Sequence, residues 1–296
     1  MTHHSRSHHH DHSHGHHDDG HHDDGHHGDG AGLAELLDLD AELLGPYLDE
    51  VTAWVARHAP DGPRTVADLG AGTGTGTLAL ARRFPKADVV AVDKSAPMLE
   101  RVLAKARGHE AADRVRAVRA DLDVAWPGIG ALDVAWAASS LHEVADPDRL
   151  IRDVHAALNP GGLLAVVEMD DLPRFLPDDL GLGRPGLESR WHEAAARAGW
   201  NSHPDWRTSL ERAGFQIAGQ RVFTIEADPA LPGVGRYAHA YLSRVRSALD
   251  PLLAADDLDV LDHLLADDTP GSLLRRRDLA VRGTRTAWAA RRPSGH

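Results

Sequence analysis

The sequence predicts an α/β fold of the doubly wound, mostly parallel class. Three observations carry this reading. The stretch TVADLGAGTGTGTLALARRFP (65–85) joins an apolar run to spaced glycines and then to a Leu/Ala-rich helical pattern. Short apolar runs and helical patterns then alternate through the middle of the chain, the order that builds parallel strand–helix units. Each apolar run in the first half ends at an acid: Asp68 and Asp93 within or at the end of the first two, Asp121 just after the third.

In the first strand Val66, Ala67 and Leu69 carry one acid, Asp68. Gly70, Gly72 and Gly74 follow and read as a tight turn, since glycine accepts positive φ and lets a ligand lie against bare backbone. The pattern D-x-G-x-G-x-G differs from the dinucleotide fingerprint G-x-G-x-x-G, which seats a pyrophosphate on a helix N-terminus. An acid just before the glycines repels phosphate and suits a cationic or hydroxyl-rich ligand. Residues 87–92 read as a buried strand closing at Asp93, 25 residues after Asp68. An acid so placed is the usual holder of ribose hydroxyls. Met98, Leu99, Val102 and Leu103 then fall at helical spacing. Residues 115–120 alternate as a short strand and deliver Asp121 and Leu122. A fourth strand (131–137) leads into a loop at 138–143 containing His142. A helix over 147–158 stops at Asn159-Pro160-Gly161-Gly162, and a fifth strand (163–167) ends at Glu168.

Outside this core, residues 34–59 carry apolar spacing for one or two amphipathic helices, broken at Gly45-Pro46. Helical patterns recur at 187–198, 207–213, 235–249 and 252–265. The alternating stretches 215–226 and 279–290 read as two late strands, too far apart for a plain hairpin loop, so a helical insertion separates them.

The acid–glycine loop, Asp93, Asp121 and the LNPGG turn (158–162), in that order, resemble the class I S-adenosylmethionine-dependent methyltransferases. The likeness is strong over 63–171 and weaker over the C-terminal third. It implies a Rossmann-like methyltransferase fold, a seven-stranded sheet with an antiparallel last strand. The chain then divides into a tail (1–30), an N-terminal helical cap (31–62), a cofactor-binding core (63–171) and a completing segment (172–296) with a helical lid at about 228–278. The resemblance assigns cofactor contacts to Asp68, Gly70, Gly72, Gly74, Asp93, Met98, Asp121 and Leu122, with Asp121 accepting from the adenine amino group. It implies direct displacement of a methyl group from S-adenosylmethionine onto a small-molecule nucleophile. The cofactor carries the difficult chemistry, so no universal catalytic residue is required.

A base can still assist an oxygen or nitrogen nucleophile. His142 is the candidate, against the plainer reading of a residue that shapes the pocket; Glu143 would point elsewhere if the segment begins a helix. Glu168, Asp170 and Asp171 border the expected pocket and read more simply as a solvated acidic loop. Phe175, Trp191, Trp200, Trp206, Tyr237 and Tyr241 read as core of the C-terminal helices rather than as a pocket lining.

Composition sets outer bounds. Hydrophobic residues make up 42% and charged residues 26%, enough for a sizeable core. There is no cysteine, hence no disulfide or thiolate metal site. No apolar run reaches the roughly 18 residues of a membrane span, and the N-terminal stretch has no apolar signal segment, so a cytoplasmic enzyme without membrane contact is expected. The net charge is −13, of which −5 lies in residues 1–30 (six aspartates, one arginine). The remaining −8 lacks the basic field a nucleic-acid ligand requires; Arg275–Arg277 and Arg291-Arg292 read as flanks of the last strand. No feature of the sequence fixes the oligomeric state.

Thirteen of the 22 histidines precede residue 28, in the rhythm HHDDG-HHDDG-HHGDG from His16. With almost nothing apolar, this tail is expected to be disordered. His16, His17, His21, His22, His26 and His27, with the interleaved acids, can supply ligands to Zn, Ni, Co or Cu, whereas no metal site is expected in the core. The competing reading is a non-catalytic protein on a methyltransferase fold that gathers Ni or Zn through this tail.

Overall fold

A computed structural model describes residues 24–109, 111–200, 203–227 and 231–295, with side chains from Gly32 onward. The strands are β1 (Thr65–Leu69), β2 (Asp88–Asp93), β3 (Val115–Arg119), β4 (Leu132–Ala138), β5 (Leu158–Met169), β6 (Gln216–Ala227) and β7 (Val281–Arg291). They form one seven-stranded sheet in the order β3-β2-β1-β4-β5-β7-β6. Strands β1 to β5 pair in parallel, and β7 runs antiparallel to both β5 and β6. The chain winds outward from β1 to β3 and returns to β4 on the other side of β1. The switch point therefore lies between β1 and β4, where ligands of doubly wound sheets bind at the carboxyl edge.

Helices α1 (Asp24–Leu43), α2 (Gly45–His58), α3 (Thr75–Arg83), α4 (Ala96–Arg107) and α5 (Pro147–Ala157) precede or link these strands. Local chemistry sets several starts. Ser95 caps α4 through Met98 N (3.4 Å), and Asp146 caps α5 through Arg149 N (2.9 Å), each followed by proline in the first turn. Along β1 and β4 the side chains alternate between two buried layers. Val66, Val134 and Trp136 face α2 and α3, while Ala67, Leu69, Ala135 and Ala137 face the layer holding Ile151, Trp206 and Leu210.

Two boundaries differ from the sequence reading. Strand β5 begins at Leu158, so the NPGG segment lies inside the strand as a register shift between the pairs Leu132–Leu158 and Val134–Leu163. Gly162 allows this because a Cβ there would lie 2.8 Å from Asn159 O, while its carbonyl accepts from Arg292 N (2.8 Å). Helix α1 begins at Asp24, inside the segment read as tail. Residues 1–23 lie outside the described residues.

The C-terminal third completes the sheet and adds α6 (Leu187–Arg197), α7 (Trp206–Arg212), α8 (Val234–Leu249) and α9 (Ala255–Leu265), the last two inserted between β6 and β7. Buried Asp257 of α9 takes both arms of Arg190 of α6 at 2.8 Å. Buried Glu188 of α6 accepts from Phe175 N (2.5 Å) and Leu176 N (2.9 Å), which fixes the segment leaving β5. Phe175, Trp191, Trp206 and Tyr237 are buried, and the Phe175 ring meets Tyr237 and Tyr241 at 5.3 and 5.4 Å. These aromatics are core. The basic runs are used within the protein: Arg276 binds Asp278, Arg291 binds His58 O and Arg292 binds Ala156 O. Among the described residues, no helix is long and apolar enough to cross a membrane.

Phe175 joins the insertion to the sheet and is fully buried. Phe175→Ala should therefore cost about 3–5 kcal/mol of unfolding free energy, read as a lowered urea midpoint. A midpoint within error of wild type would mean that the insertion does not share the core.

Candidate active site

The turn after β1 is held by the end of β2. Gly70 N and Ala71 N both donate to Val92 O, at 2.9 and 3.0 Å. Gly72 N donates to Asp93 Oδ2 (2.9 Å), and the other carboxylate oxygen accepts from Ser95 N (2.8 Å). All three glycines have positive φ (+73°, +51° and +89°), but for different neighbours. A Cβ on Gly70 would sit 2.5 Å from Ser140 Cβ and one on Gly74 would sit 2.9 Å from Val102, so these two are dictated by packing. At Gly72 the nearest atom is the tip of one flexible side chain, Leu37 of α1, at 3.1 Å. Gly72 is thus the least crowded of the three, met only by the tip of Leu37.

Across the switch point, the loop after β4 turns through Ser139, a non-glycine residue at φ 49°. Ser139 N donates to Val167 O (2.8 Å) and Ser140 Oγ to Leu69 O (2.8 Å), so both flanking strands hold the loop. The short 3₁₀ turn Leu141–Glu143 then presents His142. Its Nδ1 lies 2.7 Å from Glu168 Oε2, and its backbone N donates to Glu168 Oε1 (3.3 Å). Glu168 is fully buried, not part of a solvated loop as its sequence neighbourhood implied. Asp170 is likewise engaged, accepting from Thr286 Oγ1 (2.6 Å), and only Asp171 is exposed. Glu143 does not point away: its Oε1 is 3.3 Å from His142 Nε2. The hydrogen bond to Glu168 raises the His142 pKa against the opposing effect of burial.

Residues 67–164 match the methyltransferase domain family. A trans-aconitate 2-methyltransferase from Rhodopseudomonas palustris is 32% identical over 167 residues, covering 55% of this chain and 62% of that protein. A demethylmenaquinone methyltransferase from Thermus thermophilus is 37% identical over 115 residues, covering 38% and 50%. The chain spans about 60% of the length of the trans-aconitate methyltransferases it matches first. A methyltransferase of known structure from Thiobacillus denitrificans, in complex with S-adenosyl-L-homocysteine, covers 83% of this chain and 90% of its own at 18% identity and a TM-score of 0.47.

Over residues 67–164 the chain is thus similar to the methyltransferase domain family, whose cofactor is S-adenosylmethionine. The chain's own residues fit the cofactor of that family. Asp93 is half-buried, has no cation partner among the described residues and keeps a lone pair on each oxygen beyond its two amide bonds, an acceptor set suited to hydroxyls. The bare Gly72 face lies against the same carboxylate. Ala120 N donates to Asp93 O (3.0 Å), which brings the end of β3 to this edge. Asp121 is exposed there, with one oxygen on Asp123 N (3.0 Å), and Leu122 is half-buried with its carbonyl bound by Arg149. Met98 is buried in the first turn of α4. Asp123, unmarked in the sequence reading, ties this loop to the His142 loop by accepting from Ala145 N (2.7 Å).

Asp68 sits beneath the loop, buried. It shares a face of β1 with Val66, pairs in register with Trp136 and is 3% exposed, with Oδ2 accepting from Thr77 Oγ1 of α3 (2.7 Å). Both Asp68 Oδ2 and Trp136 Nε1 lie within 3.1 Å of where a Cβ on Gly76 would stand, so glycine there lets α3 settle on them. No group of three or more potential ligands able to hold a metal occurs among the described residues. His16, His17, His21 and His22 lie outside the described residues, and the side chains of His26 and His27 do too.

Burial lifts the Asp68 pKa to about 7. The folded protein then keeps a proton that the unfolded chain releases near pH 4. Stability contributed by this group falls as pH rises from about 4 to about 7 and levels off above. Asp68→Asn should flatten that part of the urea stability–pH curve; equal slopes in both proteins would assign the dependence to another group.

Proposed function

We propose that this chain transfers the methyl group of S-adenosylmethionine to a nucleophilic atom of a small molecule, with His142 receiving the nucleophile's proton. The observation that carries the reading is the His142–Glu168 pair on the loop packed against the glycine turn at the switch point. When bound, the cofactor supplies a methyl group activated by its sulfonium. Asp93 would hold the ribose hydroxyls, the Gly72 backbone would lie against the cofactor, and Asp121 would accept from the adenine amino group. Asp68 acts at one remove by fixing the loop to α3 through Thr77.

Glu168 accepts from Nδ1–H and so turns Nε2 outward as the atom that gains the proton. Holding nucleophile and methyl in line is the main contribution the protein makes, worth up to ~7–11 kcal/mol in ideal intramolecular cases. The relatives named above act on trans-aconitate and on demethylmenaquinone, so their names point to no single acceptor and the substrate is best sought in the site itself.

Asp93→Ala should weaken S-adenosylmethionine binding at least tenfold in calorimetric titration, since hydrogen bonds to a charged group contribute about 1.5–3 kcal/mol each. Unchanged affinity in a folded variant would show that the cofactor does not rest on β2. Because the His142 pKa lies above its ordinary value, turnover should rise with pH through the neutral range and reach a plateau once the ring is neutral. Glu168→Gln removes the cause of the rise and should shift the ascending limb to lower pH, while the plateau rate falls. His142→Gln should abolish that limb and cost ~10²–10⁴ in rate. A wild-type rate and profile in His142→Gln would leave positioning as the whole of catalysis.

A further inference from the structure

A buried cation stands at the same carboxyl edge and takes no part in the proton chemistry of His142. We infer that Arg285 and Tyr237 form a recognition site for a carboxylate group of the substrate, and that Asp40 of α1 fills this site when substrate is absent. The purpose given to the site rests on the methyl-transfer reading; its geometry does not.

Arg285 of β7 pairs in register with Met169, one residue beyond Glu168. Its guanidinium lies over the Tyr47 ring at 5.0 Å and donates through NH2 to Asp40 Oδ1 (2.9 Å). Tyr237 of α8 donates to the same oxygen (2.8 Å). Asp40 stands one turn along α1 from Leu37, which touches Gly72, so the glycine turn and the Arg285–Tyr237 pair are covered by one face of one helix. A group bound at Arg285 therefore lies next to the place where the cofactor is held.

Asp40 is an imperfect occupant. An arginine fork meets a carboxylate best through two parallel N–H···O bonds, yet both donors converge on Oδ1, and Arg285 Nε is buried without a partner. A carboxylate entering from the recess lined by Leu44, Met169, Asp171, Tyr237 and Arg285 can use both Nε and NH2. That recess measures about 10 Å³, room for at most a water, so an occupant has to displace Asp40. The displacement exchanges one anion for another and never leaves Arg285 buried and unpaired, the costly alternative. The other charged ties of α1 are partly exposed pairs that yield readily, Asp38 with Lys105 and Arg101 and Glu42 with Arg236, while Leu39 and Leu43 keep the helix packed on the core. Asp170, which faces Thr286, and exposed Asp171 place further negative charge nearby and disfavour a doubly charged phosphate.

The test uses the full chain without cofactor and titrates succinate by calorimetry, with succinamide and inorganic phosphate as controls. Asp40→Ala and Asp40→Asn should bind succinate at least tenfold more tightly than wild type, and neither should bind succinamide. Adding Arg285→Met to Asp40→Ala should abolish that binding. Adding Tyr237→Phe should weaken it severalfold, and this milder change stands in if the arginine variant does not fold. Succinate binding no tighter in both Asp40 variants, binding that survives both the Arg285 and Tyr237 changes, or stronger binding of phosphate or succinamide would overturn the inference. S-adenosylmethionine is titrated into the same proteins. Cofactor binding without the succinate pattern removes only this inference, whereas the succinate pattern without cofactor binding removes the methyl-transfer reading.

Discussion

The carboxylate of Asp93 is the constraint on which the site depends. One oxygen holds Gly72 N of the turn after β1 and the other holds Ser95 N at the start of α4. Its own carbonyl takes Ala120 N at the end of β3, and the preceding carbonyl, Val92 O, takes Gly70 N and Ala71 N. A single strand end therefore sets the position of three neighbouring loops. Because Gly70 is pressed against Ser140, the loop after β4 is placed by the same contacts. Removing the Asp93 side chain would loosen the turn after β1 and the start of α4 together.

The second constraint is the burial of Glu168. A carboxylate with no exposed surface is tolerated only with donors aimed at it, and both donors described for it come from one residue, His142, through ring and backbone. The loop bends to bring them there, and Ser139 adopts a left-handed conformation at a cost on the order of 1–3 kcal/mol. Two bonds offset that strain, Ser139 N to Val167 O and Ser140 Oγ to Leu69 O. The imidazole is thus aimed by the backbone before any ligand arrives.

Much of the fold was legible because its signals are local. Apolar runs closed by acids marked β1 to β3, and spacing marked the helices. The glycine turn was legible for the same reason, although only the packing reveals that Gly70 and Gly74 serve Ser140 and Val102 while Gly72 meets only the tip of Leu37. The burial of Asp68 was not legible. With apolar residues on both sides of β1, alternation cannot say which buried layer the acid joins until Trp136 and Thr77 are in place. Glu168 read as solvated because its partner lies 26 residues upstream, in the turn that follows another strand. The Asp40–Arg285 contact spans 245 residues, a separation at which no periodicity operates.

Four acids at or beneath the carboxyl edge illustrate how one functional group yields four behaviours through its partner. Asp93 is bound by backbone amides, which neither titrate nor leave, so it fixes loops. Asp68 is bound by a hydroxyl in a dry layer and keeps its proton up to about pH 7, so it acts as a neutral strut over much of the acidic range. Glu168 is bound by an imidazole, the one partner that changes charge near neutrality, so it raises the pKa of that ring. Asp40 is bound by a guanidinium and a phenol, permanent donors that any carboxylate of better reach can claim. Exchangeability thus follows from the donors rather than from the acid. Among these four it resides where α1, the element carrying the acid, is itself tied to α4 and α8 by exposed charge pairs.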